Sequence, residues 1–165
     1  MTGRVDARPV RAAAYAWWDE GWPAAAIAAA AGVTTRSVQR LLVGDRPRVN
    51  REVAEAVLGV TSALLYTHAR TYPAGPSRRR LQHLHLHGWS QARISAGTGI
   101  SGPGLSLITS GESRTVYKAN AHRIREFFLR HSDDDGGDER ARQRALAHGW
   151  TSLNCQTDAQ GGVAA

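Results

Sequence analysis

Along most of the chain apolar side chains return every three or four positions, the spacing of helices that bury one face. In GWPAAAIAAAAGVTTRSVQRLL, residues 21–42, the anchors are Ile27, Val33, Val38 and Leu41, and Thr35, Arg36, Gln39 and Arg40 fall on the opposite, outward side. Four helices are expected over residues 7–20, 23–31, 34–43 and 50–59, and four more over 78–87, 90–97, 102–110 and 117–131. Residues of capping type, Thr34, Asn50 and Ser90, stand at three of these starts. Sustained alternation of apolar and polar residues occurs only in LQHLHLHGW, whose flanks favour a helix, so the expected fold class is all-α. A last helix around 138–148 ends in Gly149-Trp150, and the tail QTDAQGGVAA has the composition of a disordered end.

The pattern repeats. Gly21-Trp22 returns as Gly88-Trp89, an offset of 67 residues. The same offset carries Gly32 onto Gly99, Val33 onto Ile100, Val38 onto Leu105, Leu41 onto Ile108, Gly44 onto Gly111, Val49 onto Val116 and Ala54 onto Ala121. Matches in one register, at apolar or glycine positions, point to two copies of one structural unit. The expected organisation is a first unit over 1–60, a linker over 61–77, a second unit over 78–131, and an acidic loop, helix and tail over 132–165. The linker reading rests on the prolines and glycine of THARTYPAGPSRR. Fully extended, residues 60–77 would span roughly 56 Å, at about 3.3 Å each. The terminal Gly149-Trp150 reads as the opening of a third unit that is not completed.

Small residues at the start of the opening stretch and polar ones at its end have a common explanation. Two short helices can cross at roughly 90–120° over a tight turn if a small side chain sits where they touch. Ala28 supplies that contact and Gly32 the turn. In the second copy Ser95 stands where Ala28 stood, which implies a looser crossing.

Charge narrows the function. Residues 1–131 hold 18 basic and 8 acidic side chains, a net +10, whereas residues 132–165 hold 3 and 6, a net −3. A basic body implies a polyanionic partner, with nucleic acid first. All of the strong bases but Lys118 are arginine, whose guanidinium grips phosphate or a guanine edge in bidentate fashion. The single cysteine, Cys155, allows no intramolecular disulfide. No apolar run approaches 18 residues, so a soluble, cytoplasmic chain with no membrane partner is expected.

The Ala-x-x-x-Gly-Val turn with its apolar anchors resembles the helix-turn-helix of DNA-binding regulators, and the likeness covers about 20 residues in each unit. The duplicated units, the Gly-Trp pairs and RRRLQHLHLHGWSQARIS more narrowly resemble duplicated helix-turn-helix proteins of actinobacteria and their phages. That resemblance implies two tandem helix-turn-helix units, double-stranded DNA as partner, and a second helix lying in the major groove. It gives the base-reading role to Thr35, Arg36, Gln39 and Arg40. Thr34, Arg46, Arg48 and Arg51 are expected on the DNA backbone. The basic residues before and within the second unit, Arg78, Arg79, Arg80, Arg93, Arg114 and Lys118, are expected there too. Ser101, Ser106 and Thr109 complete the backbone set, because SGPGLSLITSG puts Gly102, Pro103 and Gly104 where long polar readers would stand. The second unit therefore either reads phosphate and shape or has become a docking surface for a second copy or a host protein.

Other chemistry has weaker support. On a helix His83 and His87 share a face but His85 does not, and no acidic or cysteine partner is near in sequence, so no metal is expected. Asp133, Asp134, Asp135, Asp138 and Glu139 crowd one loop around Gly-Gly and read as a solvated linker. Cys155 lies in a polar tail with no paired histidine motif. No catalytic residue and no cofactor is expected. Trp17, Trp18, Trp22, Trp89 and Trp150 fall at helix ends as anchors of small cores. The composite expectation is a transcriptional regulator, a repressor of a phage or mobile element, associated with the nucleoid when bound. Its rivals are an accessory factor of recombination or transposition and a protein-interaction factor acting on a host protein.

Overall fold

The computed structural model describes residues 3–44 and 46–150, so Cys155 and the rest of the tail lie outside the described residues. The described chain is mostly helical, with ten helices and two two-stranded ribbons. It divides into two compact units, 1–72 and 73–165.

In the first unit β1 (Arg4–Asp6) leads into α1 (Arg8–Asp19), α2 (Ala24–Ala31), α3 (Thr35–Val43), β2 (Arg48–Asn50), α4 (Arg51–Leu58) and α5 (Ser62–His68). The antiparallel β1–β2 register sets Arg4 opposite Asn50, Val5 opposite Val49 and Asp6 opposite Arg48. With a side-chain period of two, Val5 and Val49 turn toward the core while Arg4, Asp6 and Arg48 stay exposed. That core is Val10, Ala14, Leu41, Ala54 and Val57. Trp22 is also buried, set edge-on to Tyr66 at 5.0 Å and to Tyr72 at 5.9 Å.

The second unit repeats the frame. Strand β3 (Thr71–Pro73), which straddles the boundary after Tyr72, is followed by α6 (Gly75–Leu86), α7 (Gln91–Thr98), α8 (Gly102–Ser110), β4 (Thr115–Tyr117) and α9 (Lys118–His131), and β3 pairs with β4. Each of these elements starts 67 residues after its counterpart: Arg4 and Thr71, Arg8 and Gly75, Ala24 and Gln91, Thr35 and Gly102, Arg48 and Thr115, Arg51 and Lys118. Its core includes Leu81, Leu84, Trp89, Ile94, Leu105, Ile108, Val116, Ile124 and Phe127. A last helix, α10 (Glu139–Ala147), packs on α6.

The recurring Gly-Trp pair has a geometric cause. Gly21, Gly88 and Gly149 take φ of 95°, 81° and 74°, the left-handed region. Each glycine N–H then donates three residues back and the tryptophan N–H five back, as in Gly21 to Trp18 (2.9 Å) with Trp22 to Trp17 (3.1 Å). The same pair of bonds closes α6 at Leu84 and His85 and α10 at Ala145 and Leu146. This is the Schellman close of a helix, with tryptophan as the residue that folds back on the last turn.

Three features differ from the sequence expectation. The strands are three residues each, too short for alternation to show, and only pairing reveals them. Residues 61–77 are not an extended linker but carry α5, β3 and the first turn of α6. Thr61 caps α5 by accepting from Leu64 N–H at 3.3 Å, and Leu65 is fully buried. Pro76 sits in the first turn of α6, where a missing N–H leaves no bond unmade, so a proline read as a breaker is a helix start. The acidic loop is also anchored. Gly136 is buried, with its N–H on the His87 carbonyl at 2.8 Å, while Asp133, Asp134 and Asp135 stay exposed. A Cβ on Gly136 would lie 2.3 Å from the Gly88 carbonyl oxygen, so only glycine allows this approach.

Candidate nucleic-acid interface

Helix α3 is fixed from below and behind. The turn from α2 closes with Gly32 N–H on Ala29 and Val33 N–H on Ala28, at 3.3 and 3.0 Å. Ile27 and Ala28 on α2 and Val38 and Leu41 on α3 are buried and hold the crossing. Thr34 caps α3, its hydroxyl accepting from Ser37 N–H at 3.3 Å and sharing a 2.9 Å hydrogen bond with the Ser37 hydroxyl. Thr35, Arg36, Gln39 and Arg40 all lie on the exposed side, and Val43 extends that face at 71% exposure.

The C-terminal end of α3 is held by α1. Arg11 donates to the carbonyls of Leu41 (3.1 Å), Gly44 (3.2 Å) and Arg46 (3.0 Å), and the Tyr15 hydroxyl donates to that of Leu42. Helix ends leave such carbonyls without partners, and two side chains one turn apart on α1 satisfy them here. Arg46 and Arg48 follow on the outside, and Arg51 opens α4. A surface groove between α3 and the β1–β2 ribbon is lined by Arg4, Ser37, Arg40, Arg46, Arg48 and Asn50. On the same ribbon the exposed Asp6 pairs with Arg8 at 2.7 Å, and the hydrogen bond from that guanidinium holds its carboxyl below the usual range.

The second unit keeps the clamp and loses the charge. Arg78 donates to the carbonyls of Ile108 (3.3 Å) and Ser113 (3.5 Å), the positions equivalent to Leu41 and Arg46. Gln82, equivalent to Tyr15, donates to the Thr109 carbonyl at 3.2 Å. Around α8 the equivalents of Arg4, Arg36, Arg40, Arg46 and Arg48 are Thr71, Pro103, Leu107, Ser113 and Thr115. Lys118 alone keeps a charge, at the position of Arg51. Leu107 is 47% exposed and Tyr117 70% exposed, so the outer face is uncharged and partly apolar.

Several residues expected on DNA are placed otherwise. Thr109 is buried, with its hydroxyl spent on the Leu105 carbonyl at 2.7 Å, because it falls on the inward face of α8. Arg78 is half-buried in the clamp. Arg93 lies 4.6 Å over the Trp89 ring and donates to the Gly136 carbonyl, so it fastens the loop after α9. Arg79 and Arg80 are half-buried on α6. Ser101 is exposed as the cap of α8, accepting from Gly104 N–H at 3.3 Å, and its equivalent Thr34 has the same duty. Ser106 and Arg114 are exposed and Lys118 is half-buried. Ser95, expected to loosen the α7–α8 crossing, donates to the Ile100 carbonyl at 2.6 Å and so braces the turn.

Two arginines of this surface and its support escaped the sequence reading. Arg4 sits in a strand too short to recognise, and its place in the groove follows only from the ribbon register. Arg11 carried a usable signal, since the offset of 67 maps it onto Arg78.

The histidines belong to the packing of the second unit. His83 and His87 stack at 4.2 Å, and His83 Nε2 bonds the Ser132 carbonyl at 3.0 Å. Burial pushes His85 and His87 below the ordinary histidine range, with the charge of His83 adding to the effect on His87. No group of three potential metal ligands comes together among the described residues. Among the same residues no helix is long and apolar enough to cross a membrane. Comparison with known proteins returns no matching family model, no matching curated protein and no matching solved structure.

Proposed function

We propose that the chain binds double-stranded DNA in a sequence-dependent way through the first unit, with α2 and α3 as a helix-turn-helix and α3 in the major groove. The observation that carries this reading is the face of α3. Thr35, Arg36, Gln39 and Arg40 are exposed together on a helix whose other side and both ends are fixed. Arginine suits guanine O6 and N7, glutamine suits adenine N6 and N7, and threonine suits a thymine methyl. A rigidly held polar face lets side chains, rather than backbone adjustments, discriminate bases. The role in the cell that fits best is transcriptional control, as a repressor of a phage or mobile element acting in the cytoplasm on the nucleoid.

For the second unit the uncharged outer face of α8, with Pro103, Ser106, Leu107 and Ser110, favours docking over phosphate contact. A second copy of the chain or a host protein would occupy it. The accessory factor of a recombination system shares the DNA-binding step and differs in requiring a catalytic partner.

The test is in vitro selection of duplexes from a random library at about 150 mM salt, where non-specific binding is already weakened. Wild type is expected to enrich one motif, and Arg36→Ala/Gln39→Ala to lose or relax it at two or more positions. Enrichment of no motif by the wild type would remove the sequence-reading role.

A further inference from the structure

We infer that the groove between α3 and the β1–β2 ribbon is a seat for phosphodiesters of the DNA backbone, formed by Arg4, Arg40, Arg46 and Arg48. The inference deepens the DNA-binding reading and rests on it. It also moves Arg40 from base reading to backbone anchoring and brings in Arg4, which no sequence pattern marked.

Three observations carry it. First, four arginines line one open groove with Ser37 and Asn50, beside the apolar Ala7, Leu41, Val49 and Val53, and among the described residues no carboxylate joins them in the lining. Asp6, directly opposite Arg48 on the ribbon, is engaged by Arg8. Among the described residues no ion pair reaches any of the four. Guanidinium does not shed its proton in a protein, so such convergence is relieved by an anion. Second, the ribbon register places Arg4 and Arg48 on one outward face as diagonal neighbours, typically about 7–8 Å apart. Both can therefore reach one stretch of the DNA backbone. Third, the second unit is an internal control. It builds the same strands and helices with Thr71, Leu107, Ser113 and Thr115 at these positions. The four arginines are thus not needed to form the frame, whereas the clamp arginine is kept in both copies as Arg11 and Arg78.

Arg11 acts here as a positioning residue. By holding the carbonyls of Leu41, Gly44 and Arg46 it sets the path of the segment that delivers Arg46 and Arg48 to the groove. A phosphate seated beside the end of α3 would fix how far that helix enters the groove of the duplex, while carrying no sequence information itself.

The test uses Arg4→Thr and Arg48→Thr, the residues the second unit itself tolerates, in the full chain. Binding is followed by fluorescence anisotropy across a salt series, on the selected duplex and on a scrambled one. Each substitution is expected to lower the salt slope by about 0.9. Each should weaken both duplexes by the same factor and leave the selected motif and the melting temperature unchanged. Arg40→Leu should behave alike, unlike Arg36→Ala/Gln39→Ala, which alters the motif. An unchanged slope for Arg4→Thr and Arg48→Thr overturns the seat, as does a change of motif. Should the wild type select no motif yet lose slope on scrambled duplex with Arg4→Thr, the seat stands and only the reading role falls. A parallel titration with inorganic phosphate separates the sources. Saturation that depends on Arg4, without duplex binding, would overturn the DNA backbone as the occupant in favour of a free phosphate compound.

Discussion

Helices α3 and α8 occupy equivalent places in two copies of one frame, and they present opposite surfaces. Beneath α3 and α8 the copies agree in kind: Val38 and Leu105, Leu41 and Ile108, Arg11 and Arg78 do the same work at the same positions. Above them, Arg36, Gln39 and Arg40 give way to Pro103, Ser106 and Leu107. Residues that build the frame are repeated, while residues on the outward face have diverged. The comparison thereby separates structural arginines from available ones within one chain. It also explains why net charge misleads for the second unit, where Arg78 and Arg93 are engaged in holding the protein together.

The largest test of this contrast exchanges the charged set. Arg4→Thr/Arg40→Leu/Arg46→Ser/Arg48→Thr gives the first unit the surface of the second. The salt slope should fall by about 3.6, which at about 0.15 M amounts to roughly a thousandfold loss of affinity if both proteins bind alike at 1 M. Thermal unfolding should move little, since exposed substitutions usually stay within about 0.5 kcal/mol each. A large drop in melting temperature would mean that these arginines belong to the frame after all.

Next in size is the repacking that distinguishes the cores. A Cβ on Gly97 would sit 2.2 Å from Phe127 Cε2, and the equivalent positions in the first unit are Ala30 and Val60. Gly97→Ala should cost about 1–3 kcal/mol through overpacking. Adding Phe127→Val, which restores the combination of the first unit, should recover part of that cost. Denaturant titration of both single variants and the double one reads the coupling, and strict additivity would break the argument.

The clamp is expected to be worth about 1–3 kcal/mol in either copy, because it satisfies part-buried carbonyls with a charged donor. Arg11→Ala and Arg78→Ala should therefore destabilise their own units by similar amounts, as followed by hydrogen exchange at α3 and α8. Only Arg11→Ala should also weaken DNA binding at a temperature where both variants stay folded. Equal effects of the two on binding would erase the functional difference between the units.

The smallest expected effect separates the units by pH. His85 and His87 are held below the ordinary value of 6.5, chiefly by burial. The unfolded chain then binds more protons than the folded one between the lowered values and 6.5, so stability rises with pH across that window. The second unit's stability should fall as pH drops below about 6.5, and more than that of the first unit, which contains neither residue. Residue-level hydrogen exchange at pH 7.5 and 5.5 checks this, with equal loss in both units as the contrary result.

Local spacing and punctuation were enough to locate nine of the ten helices of the described residues and the repeat, but not α5. Helical periodicity in VTTRSVQRLL, the cap at Thr34 and the paired Gly-Trp endings each act within a few residues, so they are visible in one dimension. Outward placement of Thr35, Arg36, Gln39 and Arg40 was legible for the same reason, since burying Val38 and Leu41 orients the rest of α3. Only tertiary structure decided which basic residues are available. Arg93 and Arg78 lie far in sequence from the carbonyls of Gly136 and Ser113 that engage them, and nothing in their neighbourhood announces those partners. The strands likewise exist only by pairing, because three residues carry too short a pattern until Arg4–Asp6 meets Arg48–Asn50. A helix is stabilised by contacts near in sequence, whereas a ribbon, a clamp and a groove depend on contacts across dozens of residues, and those are set when the core closes.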